Sequence, residues 1–342
     1  MTIVTVGIDL AKNVFAVHGV NAAGKPELVR PNVKRDKLLE LIASLPPCLI
    51  GMEACCGAHH WAREFEKLGH TARLMAPQFV APYRLSGKRG KNDAADAAAI
   101  CEAVARPNMR LVPIKSIEQQ CQLMVHRTRQ GFVEQRTAAF NRIRGLLSEL
   151  GIVLPLKAQT VRREALACLE DLPGYANTVI GDLLGEVSRL DDRIAQYDRH
   201  IADMARQSPS AQRLKQLSGI GELTATAMVS TVGNGSEFEC GRSLSAWLGL
   251  VPSQYSSGGK ERLGRIRKSG DSYLRSLLVM GARAVLAAAM NGANPKQDRL
   301  SRWARSVAER RGYWRAVVAI AAKNARLCWA VLRRGEQFRM PA

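Results

Sequence analysis

The chain has 342 residues, 46% of them hydrophobic, which is enough apolar material for a real core and for more than one domain. Its 50 lysines and arginines outnumber 30 aspartates and glutamates, so the net charge is +20 and polyanions will collect on it, nucleic acid being the commonest; an acidic protein or a membrane surface are the other takers. A signal peptide, a disulfide framework and a membrane span are not expected: a strand-like run starts at Ile3, the 8 cysteines have no regular spacing, and no unbroken apolar stretch, Ala316 to Ala322 included, approaches the ~20 residues that cross a bilayer. The expectation is a cytoplasmic protein with reduced thiols and no membrane partner.

The first 110 residues alternate strand and helix signals. Ile3–Ile8 is a short apolar strand ending at Asp9, Val14–Val20 a second strand, Asn21–Gly24 a turn, and Glu27–Val33 a third strand. Leu38, Leu39, Leu41, Ile42 and Leu45 form a helical face closed by Pro46-Pro47. Cys48–Met52 is a buried-type strand ending at Glu53, Trp61–Leu68 a helix, and Thr71–Met75 a strand. Three early strands followed by helix–strand alternation predict a mixed α/β sheet. Ser86–Asn92 is a basic loop without apolar periodicity, and Asp93 opens an Ala-rich helix over 94–105, where a carboxylate suits the helix dipole.

The middle of the chain is helical. Residues 121–150 carry five arginines, and Ile180, Leu183, Val187, Leu190, Ile194, Tyr197, Ile201 and Met204 alternate spacings of 3 and 4, a heptad seam. That seam suits either an oligomerisation arm or a helix packed on its own domain. The last third begins near Ser208-Pro209, with Leu217–Gly221 between two helical patterns. A turn-rich stretch follows over Pro252–Lys260, and a basic helical tail closes the chain. From Lys296 to Arg339 the tail has 12 lysines and arginines against three acids, with Trp303, Tyr313 and Trp314 interspersed.

Four carboxylates carry the strongest chemical signal. Asp9 and Glu53 each end a strand, and Asp93 and Asp96 lie three apart on one helix face. Strand-end acids on neighbouring strands can converge, and a flanking helix can bring two more. Such a set repels itself without a cation, and all-oxygen donors suit Mg²⁺ or Mn²⁺. Two such ions can polarise a scissile phosphate and stabilise the attacking and leaving oxygens. Lys88, Arg89 and Lys91, directly before the third acid, read as a phosphate clamp or as a solvated loop. Cys55, Cys56, His59 and His60 are too crowded in sequence for a tetrahedral zinc site, although His59 and His60 follow Glu53 closely. Gly219-Ile-Gly221 resembles a helix–hairpin–helix turn, whose backbone N–H groups approach phosphate, or is a plain helix–helix turn. Lys260, Arg262, Arg265, Arg267 and Lys268 fit a nucleic-acid backbone contact or an exposed loop.

The N-terminal stretches Gly7–Lys12, Met52–Trp61 and Gly87–Ala97 resemble the DEDD transposases of bacterial insertion sequences, the IS110 family, and look closest to its IS1111 branch. The resemblance continues in Gly219-Ile-Gly221 and in Tyr255–Gly264, and runs over essentially the whole chain, most weakly across the middle helices. It implies an α/β ribonuclease-H-like (RuvC-like) catalytic domain over 1–110, a helical, coiled-coil middle over 111–207, and a mainly α transposase domain over 208–342. It carries the family's metal-binding acids onto Asp9, Glu53, Asp93 and Asp96, and its DNA-linking nucleophile onto Ser257. Chemistry alone permits Ser257 without selecting it over Ser256: a serine hydroxyl needs activation, and no histidine lies nearby in sequence. The metal centre would supply that activation, from the same subunit or another. The resemblance further implies DNA as substrate, a structured guide RNA, and a dimer or tetramer. Two readings compete with it: a metal-dependent junction nuclease that uses water, and a nucleic-acid binder without activity.

Overall fold

The computed structural model describes residues 2–84, 93–291 and 296–337, and its chain divides into two compact units, Met1–Ser116 and Ile117–Ala342.

The first unit is built on a six-stranded mixed sheet. Strand β1 (Ile3–Asp9) pairs antiparallel with β2 (Val14–Asn21), which pairs antiparallel with β3 (Pro26–Lys34). The turn expected after Asn21 joins the last two, with Gly24 at φ 75°. After α1 (Leu38–Ala43) the chain returns as β4 (Leu49–Glu53), parallel to β1. Helix α2 (Ala58–Lys67) leads to β5 (Thr71–Met75), parallel to β4; α3 (Pro77–Val80), α4 (Asp93–Val104) and the short β6 (Leu111–Val112), antiparallel to β5, complete the unit. The order is β3-β2-β1-β4-β5-β6.

The two faces of the sheet are filled differently. Val6, Ile8, Ile50 and Met52 point to one side and pack with Leu38, Ile42, Trp61 and Phe65 of α1 and α2. Phe15 meets the Trp61 ring edge-on at 5.4 Å, and Trp61 stacks on Phe65 at 5.9 Å. Alternation along a strand sends Gly7 and Gly51 to the opposite side, where α4 lies. A Cβ on Gly7 would stand 2.2 Å from the Ala97 carbonyl oxygen, and one on Gly51 2.6 Å from the Val104 Cβ. These glycines let α4 lie with its backbone almost on the sheet.

The second unit is mainly helical. Helices α5 (Ile117–Glu149) and α7 (Tyr175–Gln207) form an antiparallel hairpin closed by α6 (Ala158–Ala167). The heptad seam finds its partner here: Ile180 and Val187 share a core with Ile143 and Leu147 of α5, Leu184 rather than the expected Leu183 is the buried residue between them, and Phe132 meets Tyr197 at 5.5 Å. The seam is therefore covered inside the chain. Helix α8 (Pro209–Lys215) starts with Pro at its first position and Ser208 Oγ accepting from the Ala211 N–H at 3.2 Å. Then come α9 (Glu222–Val232), α10 (Gly241–Trp247), a two-stranded hairpin of β7 (Pro252–Gln254) and β8 (Leu263–Ile266), α11 (Ser272–Ala289), α12 (Arg299–Arg311) and α13 (Tyr313–Arg334). Asp271 and Asp298 cap α11 and α12, each accepting a backbone N–H at 2.9 Å. By length and composition α11 could cross a membrane, an apolar helix longer than the Ala316–Ala322 run that stands out in the sequence, because Arg275 and Arg283 break its apolar pattern. Here Leu274, Leu278, Ala282 and Leu286 sit in the core with Ile320 and Ala321 of α13.

Candidate active site

The sheet sets the first two acids. Asp9 ends β1 and Glu53 ends β4, adjacent parallel strands paired through Ile8 and Met52. Each lies two residues beyond a face glycine, so both side chains stand on the face that α4 covers. Asp93 and Asp96 occupy the first turn of α4. Because Gly7 and Gly51 admit the helix so closely, that turn arrives beside the strand ends. Ligand oxygens of Asp9, Asp93 and Asp96 all lie within 4.8 Å of one another. Glu53 joins the group through Arg84, whose guanidinium lies 2.9 Å from a Glu53 oxygen and 2.9 Å from an Asp96 oxygen.

The electrostatics match this crowding. Burial, first, and then the charges of Asp96, Asp93 and Glu53 push the Asp9 carboxyl up to about 6, against the opposing pull of Arg84. Asp96 is buried and Asp93 exposed, so the cluster is closed on the sheet side and open at the helix start. The donors are all carboxylates, which fits a hard divalent cation such as Mg²⁺ or Mn²⁺. Cys55 and Cys56 are exposed, and His59 Nδ1 accepts the Lys115 backbone N–H at 3.2 Å; neither cysteine nor histidine enters a metal-like cluster among the described residues.

In the second unit, Ser257 sits at the tip of the β7–β8 hairpin. Ser257 and Lys260 form a β-bridge around Gly258 and Gly259, at φ 57° and 77°. Two consecutive positive φ values define the tight hairpin turn that glycine adopts without strain. Ser256 Oγ accepts a hydrogen bond from the Gln254 amide at 2.9 Å. The Ser257 hydroxyl has no such partner among the described residues and is exposed. Lys260, Arg262 and Arg265 extend from the same hairpin into solvent.

Two family models match the chain: a DEDD-type IS110 transposase model over residues 6–152, which span all four acids, and the model described as the transposase IS116/IS110/IS902 family over residues 211–298, which span Gly219 and Ser257. The chain is 44% identical to a protein of Pseudomonas aeruginosa called "Probable family 20 transposase", with 99% of each chain covered. It is 40% identical to the transposase for insertion sequence element IS1111A of Coxiella burnetii, over 98% of this chain and 91% of that one. It is 36% identical to the transposase for insertion sequence element IS1328 of Yersinia enterocolitica, over 97% of this chain and 98% of that one. The chain is a transposase of the IS110 family.

Its enzymatic work is therefore DNA cleavage and strand transfer, by a family that typically uses a divalent metal. The other residues singled out in the sequence of this transposase fall in different settings. Lys88, Arg89 and Lys91 lie outside the described residues. Gly219, at φ 83°, serves close packing: a Cβ there would meet the Gly281 carbonyl oxygen of α11 at 2.8 Å. Gly221 is open and precedes α9, whose first turn holds Glu222, ion-paired to Lys215 at 2.7 Å. An acid in that turn occupies part of the positive end of the helix that a phosphate would use.

Sequence reasoning missed Arg84. It is a lone arginine after Pro82-Tyr83, its partners are 31 and 12 residues away, and no local pattern marks it. Its only signal was position, shortly before the basic loop and between the second and third acids.

Proposed function

We propose that this transposase cuts and rejoins DNA through a covalent phosphoserine link formed by Ser257, with the ribonuclease-H-like acids Asp9, Glu53, Asp93 and Asp96 holding divalent metal. The convergence of Asp9, Asp93 and Asp96 at one end of the sheet carries this reading. A cation held there would polarise the scissile phosphate and offset its charge. The Ser257 oxygen attacks phosphorus, the phosphorus–O3′ bond breaks, the DNA 5′ side stays esterified to serine, and the leaving oxygen takes up a proton as a free 3′ hydroxyl. A 3′ hydroxyl of the second DNA end then attacks the phosphoserine and restores the serine. The phosphodiester is conserved throughout, so rejoining needs no nucleotide hydrolysis.

Supporting this assignment, Ser257 is exposed at a two-glycine hairpin tip with its hydroxyl unengaged among the described residues, while Ser256 is engaged by Gln254. Lys260, Arg262, Arg265 and Gly221, together with Lys88, Arg89 and Lys91, contact the nucleic-acid backbone in this reading. Its functional segments are 1–110 for catalysis, 111–207 as a helical spacer and 208–342 for the serine. A structured RNA encoded by the element guides the choice of DNA, the protein works as a dimer or tetramer that pairs two ends, and it acts in the bacterial cytosol.

The test is to incubate the protein with element-end RNA, donor and target DNA and Mg²⁺, denature, and look for a protein–DNA adduct. The adduct should vanish in Ser257→Ala and persist in Ser256→Ala. Cleavage that survives Ser257→Ala with no adduct would assign the chemistry to water instead. Full activity of protein stripped of all RNA would remove the guide.

A further inference from the structure

Some arginines of the second unit are ion-paired and others stand exposed without a carboxylate partner among the described residues. On the α5–α7 hairpin and α6, Arg129 is held by Asp198, Arg136 and Arg162 by Asp191 at 2.7 Å each, and Arg189 by Glu186 at 2.7 Å, while Arg127, Arg142, Arg193 and Arg199 are exposed. Arg283, Arg311 and Arg315 are exposed, and among the described residues none has a carboxylate within ion-pair reach. Three guanidinium groups without a carboxylate partner thus flank one surface.

The same surface bears the protein's most exposed tryptophan among the described residues. Trp314 is 63% exposed, beside Tyr313 at 38%, with ring centroids 5.3 Å apart and edge-on. The Arg283 guanidinium lies 5.8 Å from the Trp314 ring centroid. Two adjacent aromatic rings left in water form an apolar patch, which marks an interaction surface more than a single exposed residue does. Here the ring is buttressed by a cation and an aromatic neighbour and still open to solvent. Arg283 in turn donates to the Met280 sulfur at 3.5 Å, and Met280 lines the open groove beside Gly219, Ile220 and Gly221. The surface thus runs from the glycine hairpin to the aromatic pair.

We infer that Trp314, Tyr313 and Arg283, flanked by Arg311 and Arg315, form a stacking platform for an unpaired base of a single-stranded nucleic acid. Every base offers a π-face and every nucleotide a phosphate, so a flat aromatic ring amid unpaired arginines fits that ligand. A second copy of this chain fits less well, since it would bring the same positive surface against itself. A duplex offers its phosphates and keeps its bases stacked away from the ring. The inference stands apart from the metal and serine chemistry, because it concerns binding by a surface that contains none of those groups.

The experiment measures fluorescence anisotropy of labelled single-stranded oligothymidine, oligouridine and a duplex, with the full-length protein in EDTA, alongside the mass of each variant in solution. Trp314→Ala should weaken single-strand binding about tenfold, within the range for loss of one base stack, and Trp314→Phe should recover most of it. Duplex affinity should stay within about twofold of wild type, because only phosphates are read there. Arg311→Ala should instead lower the slope of log affinity against log salt by about one. Preference between the two single strands distinguishes DNA from RNA as the occupant. Because the assay is run in EDTA, where no metal-dependent cleavage occurs, failed chemistry and failed stacking are separable. A Trp314→Ala protein that melts like wild type and binds single strands equally well overturns the inference. So does one that changes only the mass in solution, which would make the surface a contact between copies.

Discussion

Asp9 is the residue on which the acid cluster has its largest effect. Its carboxyl is raised to about 6 against 3.8 in an unfolded chain, by burial and then by Asp96, Asp93 and Glu53. The metal-free folded state therefore holds a proton that the unfolded state releases earlier. Its stabilising contribution is full below about pH 4 and is lost as the pH rises through about 6. Thermal melts in EDTA should fall between pH 5 and 7, and Asp9→Asn should flatten that fall and melt higher than wild type at pH 7.5. Added Mn²⁺ should reverse the order, raising the wild-type melting temperature more at pH 7.5 than at 5 and leaving Asp9→Asn unmoved. Arg84→Ala should behave oppositely in apo protein. Removing the cation that bridges Glu53 and Asp96 should cost about 1 kcal/mol, modest because the pair is partly solvated, and calorimetry should show tighter Mn²⁺ binding. The four acids were legible because strand ends and helix starts can be read from apolar runs and breaks. Arg84 was not, because its partners meet only once the sheet is assembled.

At the scale of elements, the decisive contact is α4 on the sheet. Gly7 and Gly51 look like ordinary strand glycines in sequence, and nothing local says that a helix backbone lies against them. Gly7→Ala places a methyl 2.2 Å from the Ala97 carbonyl and must lift α4. We expect a loss of about 1 to 3 kcal/mol by denaturant unfolding and loss of the Mn²⁺-induced rise in melting temperature, with all four acids still present. The hairpin teaches a related lesson. The 3-and-4 spacing identified the buried stripe of α7, but a stripe does not name its partner. The partner proved to be α5, joined by a connection that includes α6. Leu190, 5% exposed, lies on that stripe. Leu190→Ala should cost about 2 to 5 kcal/mol and leave the mass in solution unchanged, whereas a seam between chains would change the mass.

At the scale of the whole molecule, a charge of +20 does not act as a uniform coat. Several hairpin arginines, Arg129 and Arg136 among them, neutralise local acids, while those at the β7–β8 tip and the α12–α13 junction are exposed beside Ser257 and Trp314. Composition alone could announce a polyanionic partner and could not say which arginines meet it. The two compact units each carry one half of the proposed chemistry, acids in one and serine in the other. The mixed sheet and the helical body were legible from periodicity; the division of charge between pairing and binding was not, since it depends on contacts up to 69 residues apart, as between Arg129 and Asp198. The central claim is that the carboxylates at the end of the sheet drive DNA cleavage. Its most direct test is the cleavage of end-labelled donor DNA, supplied with target and element-end RNA, by wild type and Asp9→Asn in Mg²⁺, with DNA affinity measured in parallel. The account predicts normal binding by Asp9→Asn with cleavage reduced at least about a thousandfold, the scale of removing a centre that stabilises transition-state charge. Cleavage by Asp9→Asn at the wild-type rate would contradict it.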